Sequence, residues 1–235
     1  MALPKNIRPE YNTTIPSTGK KIKYQPFSVR EEKILVLASE SQDSGEITNA
    51  ISNVLENCIT SPVDLDVKEL ALFDIEYLFL KARTKSAGEK ITVRVTDPND
   101  PSFTKEHEIN IDKIQIKRNK DHKDLIDIAE NVKVKMRYPD IEFFNEGISI
   151  DSVGSTTELV SKCVSQIIVG EDVYNKSEMS VGEIEEWIDG LTTEQFGKLS
   201  EFFATMPKLS HSFTIKNTKT NNDFTVTLEG LADFF

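Results

Sequence analysis

The chain has 235 residues, 38% of them hydrophobic and 29% charged, and carries a net charge of -11. That length supports a substantial core without metals or disulfides, and no apolar run approaches the roughly 18 residues of a membrane span. The acidic balance opposes condensation onto phosphate backbones, which disfavours nucleic acid as a partner.

The first 20 residues lack an apolar h-region and a small-residue cleavage site, and read as an extended arm without a secretory signal. Pro16 to Lys21 (PSTGKK) holds the Gly-Lys of a phosphate loop but lacks its upstream glycine and preceding apolar strand, so it reads as a plain connection. Lys21 to Phe27 (KIKYQPF) alternates apolar and basic residues, as an edge strand does. A helix follows over Arg30 to Ser39. Ile51, Val54, Leu55, Cys58 and Ile59 then make an i, i+3, i+4, i+7, i+8 stripe, which predicts a second helix with one buried face. Leu70 to Ala82 predicts a third. Lys90 to Val95 and Glu108 to Ile111 predict a hairpin joined through DPNDPSFTKEH. Asp97 to Ser102 clusters oxygen ligands, but without the glycine and distal glutamate of a calcium loop it reads as a tight turn. The basic run from Lys113 to Lys123 is flanked and broken by Asp112, Asp121 and Asp124, which predicts a solvated face.

From there the plan repeats. After a linking strand at Leu125 to Ile128, Val132 to Pro139 (VKVKMRYP) matches the pattern of Lys21 to Phe27. A short IEFFNEG segment follows, and Val160, Cys163, Val164, Ile167 and Ile168 repeat the helical stripe 109 positions after the first. Val181 to Leu191 is an added helix, with Ile184, Trp187, Ile188 and Leu191 facing inward. Phe196 to Met206 is the next, and Thr214 to Lys216 with Phe224 to Leu228 predicts a closing hairpin. Ser28 with Glu31, Ser155 with Glu158, Ser180 with Glu183 and Thr192 with Gln195 fit the capping box, in which hydroxyl and N3 side chain satisfy each other's backbone N–H. The expected fold is α+β: an N-terminal arm over 1–20, a strand-helices-hairpin half over 21–120, and a related half over 121–235.

Chemistry is sparse in this pattern. Cys58 and Cys163 read as small core residues rather than a disulfide, and no Cys-x-x-Cys occurs to supply a zinc site. His107, His122 and His211 stand beside no Ser or Cys nucleophile, and read as isolated surface histidines. The abundance of carboxylates makes any chosen catalytic pair uninformative. No catalytic, cofactor-binding or metal-binding residue is therefore assigned. What remains is surface: free hairpin edges, which can pair with a partner's strand, and apolar anchors at Tyr24, Phe27, Leu231, Phe234 and Phe235. The competing expectation is that the terminal Phe residues fold back on the chain's own helices.

Ile15 to Ala38 (IPSTGKKIKYQPFSVREEKILVLA), Asp74 to Glu89 (DIEYLFLKARTKSAGE), VKMRYP, Trp187 to Leu209 (WIDGLTTEQFGKLSEFFATMPKL) and TLEGLADFF resemble, in order, the baseplate hub protein family of T-even-like contractile-tailed bacteriophages. The resemblance implies a non-enzymatic structural or assembly subunit of the tail hub. Its partners would be other baseplate or tail hub proteins, possible self-association included, and its place the host cytoplasm during assembly and the virion tail baseplate. Some relatives in that family carry Cys-x-x-Cys pairs in their hairpin loops that look like zinc knuckles; this chain has DPNDPS and NTKTNND there, so no zinc is carried over and pairing and packing must hold the hairpins. The alternative is a cell-wall hydrolase of the tail hub, which would need carboxylates converging in a cleft.

Overall fold

The computed structural model describes residues 6–41, 43–141, 143 and 157–234. Among these residues lie six α-helices and twelve strands in four antiparallel sheets, an α+β architecture. The chain divides into two compact units, residues 1–117 with 208–235, and residues 118–207.

In the first unit, the stretch expected to be an extended arm contains strand β1 (Tyr11–Thr14), paired with β2 (Lys21–Tyr24). PSTGKK is the turn between them. Gly19 there has φ +71°, a left-handed conformation that glycine adopts without strain. Helices α1 (Val29–Ser41) and α2 (Ser44–Cys58) follow. The start of α1 is held at Ser28, whose N–H donates to Glu31 Oε2 at 2.7 Å, and Asp43 caps α2 by accepting from the Glu46 N–H at 2.9 Å. α2 buries Ala50, Ile51, Val54, Leu55 and Cys58, the expected stripe.

The stripe ends earlier than helical spacing predicts. Ile59 leaves α2 and opens strand β3 (Ile59–Ser61), which pairs with β2. Helix α3 (Leu72–Ala87) buries Phe73, Ile75, Leu78, Phe79, Leu80 and Ala82, together with Asp74, Lys81 and Thr84, so it is enclosed on most of its circumference. Beyond it, β4 (Lys90–Asp97) and β5 (Asp100–Asn110) form a two-stranded sheet. The expected long connection is mostly strand; only Pro98 and Asn99 lie between. β6 (Ile116–Lys117) pairs with β11 (Lys208–Lys216), which pairs along its length with β12 (Asp223–Glu229).

The closing hairpin therefore belongs to the first unit, not to a second half running to residue 235. The reason is side-chain burial. Val95 and Phe103 of β4–β5 pack with Ile215 and Phe224 of β11–β12, with Val93, Phe213 and Val226 beside them. Phe103 meets Phe224 edge to face at 6.2 Å, and His107 stacks on Phe213 at 4.4 Å. A neighbouring cluster joins Leu80 of α3 to Ile109, Ile111, Leu209, Leu228 and Phe234. At the tips, the fully buried Asn217 donates through Nδ2 to Asp97 Oδ2 at 2.7 Å and to Asp100 Oδ2 at 3.2 Å, while its Oδ1 accepts from the Lys219 N–H at 2.8 Å. Lys219 Nζ reaches the Ser102 carbonyl at 2.8 Å.

The second unit holds the sheet β10-β9-β8-β7, from β7 (Leu125–Ala129), β8 (Val132–Met136), β9 (Val164–Val169) and β10 (Asp172–Asn175). Its helices are α4 (Thr157–Cys163), α5 (Val181–Asp189) and α6 (Thr193–Thr205). The expected helix through Val160 to Ile168 stops at Cys163. Val164, Ile167, Ile168 and Val169 are β-branched and continue as β9, where they pair with β8 instead of coiling. Both units share this construction: Gln25 N–H donates to the Cys58 carbonyl at 2.8 Å and Arg137 N–H to the Cys163 carbonyl at 2.7 Å, and each central strand has a register shift beside that point. Capping boxes at Ser180 and Thr192 start α5 and α6 as expected; the one at Ser155 lies outside the described residues. One core unites Val134, Phe143, Val160, Cys163, Val164, Ile184, Ile188, Leu199, Phe202 and Phe203.

Replacing Asn217 by Ala strips Asp97, itself 3% exposed, of a buried partner across the two hairpins. The expected outcome in chemical denaturation is a loss of about 2 kcal/mol, the usual cost of orphaning a buried polar group; a loss near zero would show that the tip clip adds nothing to the packing beneath it.

Candidate functional site

The residues expected at an interface fall in different settings. Tyr24 is buried at 5% exposure, and burial pushes its hydroxyl up to about 12. Phe27 is half-buried and stacks on Phe79 of α3 at 6.2 Å. Leu231 packs against the cluster that contains Phe234, and Phe234 is 1% exposed within it. Phe27, Leu231 and Phe234 are turned inward because α3 offers them apolar surface through Phe79 and Leu80, while Tyr24 leans on Tyr11 of β1. Phe235 lies outside the described residues.

The tail is tied to α3 by a carboxylate. Glu76 Oε1 accepts the Leu231 N–H at 3.3 Å. Gly230 precedes it at φ +68°, and a Cβ built there would stand 3.2 Å from the same oxygen, so the glycine gives both the turn and the close approach. Burial pushes the Glu76 carboxyl up to about 8, against the lowering effect of the Leu231 N–H.

Apolar surface is exposed elsewhere, on α1. Val29, Ile34, Val36 and Leu37 are all exposed, Leu37 at 67% and Val29 at 66%. At about 100° per residue they fall within roughly 160° of the helix circumference. Arg30 and Lys33 share that arc. The opposite side carries Glu31, buried, with Leu35 and Ala38 half-buried. A cluster of large aliphatic side chains in water is the physical signature of a docking surface; in sequence alone such an apolar helix reads as a buried one.

His122, expected as an isolated surface histidine, is built into the second unit. Its Nδ1 lies 3.0 Å from Thr205 Oγ1 and its Nε2 3.0 Å from the Tyr138 hydroxyl, while its ring stacks on Tyr138 and leans on Phe202. With Lys123, Asp124, Leu125 and Tyr138 it lines a shallow open cleft of about 420 Å³. Burial holds the imidazole below its usual range, with Asp124 opposing. Burial also pushes the free thiols of Cys58 and Cys163 up to about 12, which keeps them as unreactive core groups. Among the described residues no group of three or more His, Cys, Asp or Glu side chains is arranged to hold a metal ion, and no helix is long and apolar enough to cross a membrane.

Two titrations follow with opposite signs. The Glu76 carboxyl is raised in the fold, so its contribution is complete in acid and lost as pH climbs towards about 8. Glu76→Gln is expected to stabilise the protein by on the order of 1 kcal/mol at pH 8.5, discounted for partial exposure, and to change it little near pH 4.5. His122 is lowered, so the unfolded chain protonates first and stability falls as pH drops below about 6.5. Thermal melts of His122→Gln should show a flatter profile between pH 6.5 and 5 than the parent; an identical slope would remove His122 from the acid response.

The model of one protein family, described as T4 bacteriophage base plate protein, matches residues 8–235. No curated protein and no solved structure matches the chain.

Proposed function

The chain belongs to the T4 bacteriophage base plate protein family, and from that premise we propose that it is a structural or assembly subunit of the tail baseplate hub that works by protein contact rather than by catalysis. As a baseplate protein it meets other phage tail proteins, and α1 is the surface best suited to them. The supporting observation is the exposed arc of Val29, Ile34, Val36 and Leu37, interleaved with Arg30 and Lys33. Such an arc loses water-exposed apolar area on docking, at about 25 cal/mol per Å², while the two cations add selectivity for an acidic partner face. The host cytoplasm is where this docking would take place during assembly, before the subunit takes its position in the tail.

The enzymatic alternative, a glycan hydrolase, would draw on Glu76, whose raised titration suits a general acid. Its carboxylate is engaged by the Leu231 N–H, and Gly230 closes over it. That arrangement serves tail docking better than substrate protonation.

The double variant Val36→Glu with Leu37→Glu is expected to fold, with a stability change within about 0.5 kcal/mol per exposed site, and to fail to enter baseplates when supplied in infected cells. Normal incorporation would overturn the α1 reading. Release of soluble sugar from purified peptidoglycan by the parent chain, abolished by Glu76→Gln, would overturn the non-enzymatic one.

A further inference from the structure

Charged groups withdrawn from water are paired or hydrogen-bonded in folded proteins. Three arginines are half-buried among the described residues, Arg8, Arg83 and Arg137. Arg8 donates to the Pro26 carbonyl at 2.9 Å, and Arg137 donates to Asp140 Oδ2 at 2.6 Å and to the Lys162 carbonyl at 3.0 Å. Arg83 differs. Among the described residues no carboxylate pairs with its guanidinium and no acceptor takes its N–H groups. Burial holds its titration below the usual arginine range, so the charged head as well as the aliphatic stem has lost water. The neighbouring carboxylates are engaged elsewhere: Asp74 accepts the Ser17 N–H, Glu76 accepts the Leu231 N–H, and Glu89, just past α3, lies 3.5 Å from Lys85 Nζ.

The position of Arg83 on α3 sets it beside the start of α1. Residues at i−4 and i+3 share a helix face with residue i, and for Arg83 these are Phe79 and Ser86. Both hold Phe27, whose ring stacks on Phe79 at 6.2 Å and whose N–H donates to Ser86 Oγ at 2.8 Å. Phe27 stands two residues before Val29, the first residue of α1, a reach of about 7 Å. Arg30 and Lys33 follow on the exposed apolar arc, and among the described residues neither side chain has an ion pair or a hydrogen bond. The exposed carboxylates of α1 lie away from them: Glu32 is about 100° round the helix from Lys33, and Glu40 is two turns beyond it. In a chain at -11, three cations at the base of the arc thus lack an ion pair among the described residues.

We propose that Arg83 anchors a carboxylate on an acidic segment of the protein that docks on α1, with Arg30 and Lys33 attracting the rest of that segment. A guanidinium offers its donors as a planar fork that matches a carboxylate, and a docked segment shields the pair from the water and salt that weaken exposed ion pairs. A short acidic segment meets only these local cations, whereas a long polyanion such as nucleic acid also meets the field of the whole acidic chain. The proposal rests on α1 as the docking face, but it is read from charge preference and from Arg83 alone, so its failure leaves that face standing.

The test is titration of the purified full chain with two octapeptides, Glu-Leu-Leu-Glu-Glu-Leu-Leu-Glu and its counterpart with Gln in place of every Glu. The acidic peptide is expected to bind at least ~10-fold more tightly, about 1.4 kcal/mol, and to shift the Arg83 Nε–H resonance. Arg83→Gln should remove most of that preference. It should also melt no lower than the parent, because the substitution deletes a desolvated charge and breaks no pairing; a lower melting temperature would make Arg83 a structural residue and overturn the proposal. Equal binding of the two peptides, binding of neither, an unmoved Arg83 signal, or a preference undiminished in Arg83→Gln would each overturn it. So would displacement of the acidic peptide by an equal concentration of inorganic pyrophosphate, which would assign a phosphate ligand instead.

Discussion

Helix α3 is enclosed, and segments far apart in the chain are held to it. The Ser17 N–H donates to Asp74 Oδ1 at 2.8 Å, fastening the β1–β2 turn; the Phe27 N–H donates to Ser86 Oγ at 2.8 Å; Lys81 Nζ donates to the Asp112 carbonyl at 2.5 Å; and Glu76 receives Leu231 from the C-terminus. A helix apolar over most of its circumference must be surrounded to be stable, and each polar group it buries must then find a partner. Asp74 is fully buried and meets that demand through Ser17. The first unit thus closes around one element, with N-terminus, middle and C-terminus each contributing a wall.

Much of this was legible locally. The capping boxes at Ser180 and Thr192 and the stripes through Ile184, Ile188, Leu199, Phe202 and Phe203 give α5 and α6 almost to the residue, since caps and periodicity act within a few turns. The two hairpins are legible for the same reason. The change from helix to strand at Cys58 and Cys163 is not: an i, i+3, i+4, i+7, i+8 stripe is satisfied equally by a helix end followed by a strand whose inward residues continue the sequence. What tips the balance is the neighbouring strand, β2 or β8, which offers backbone partners to a β-branched run.

The placement of the closing hairpin was illegible for a different reason. Nothing within residues 208–229 says whether their apolar face meets the helices before them or a hairpin a hundred residues earlier. Burial decides, because Phe213, Ile215, Phe224 and Val226 gain a complementary face only on Val93, Val95 and Phe103. The same limit hid the α1 surface. Val36 and Leu37 look like core in any local window, and only the assembled unit leaves them in water. His122 is the converse case, a lone histidine amid charge that the fold encloses between Tyr138, Phe202 and Thr205.

Specificity, more than strength, is what the polar clip at the hairpin tips contributes. Net stabilisation by a buried Asn–carboxylate network is modest, since the same groups are well solvated in the unfolded chain. A slip of β11–β12 along β4–β5, however, would leave the Asp97 carboxylate buried without Asn217, and an unpaired buried charge is far costlier than a displaced apolar contact. Apolar packing between Phe103, Ile215 and Phe224 tolerates small slips; the clip does not. The clip thus sets how the two hairpins lie along each other, whereas the pairing within β11–β12 is set by its own backbone bonds, Asn217 N–H to the Asn222 carbonyl and Gly230 N–H to the Leu209 carbonyl.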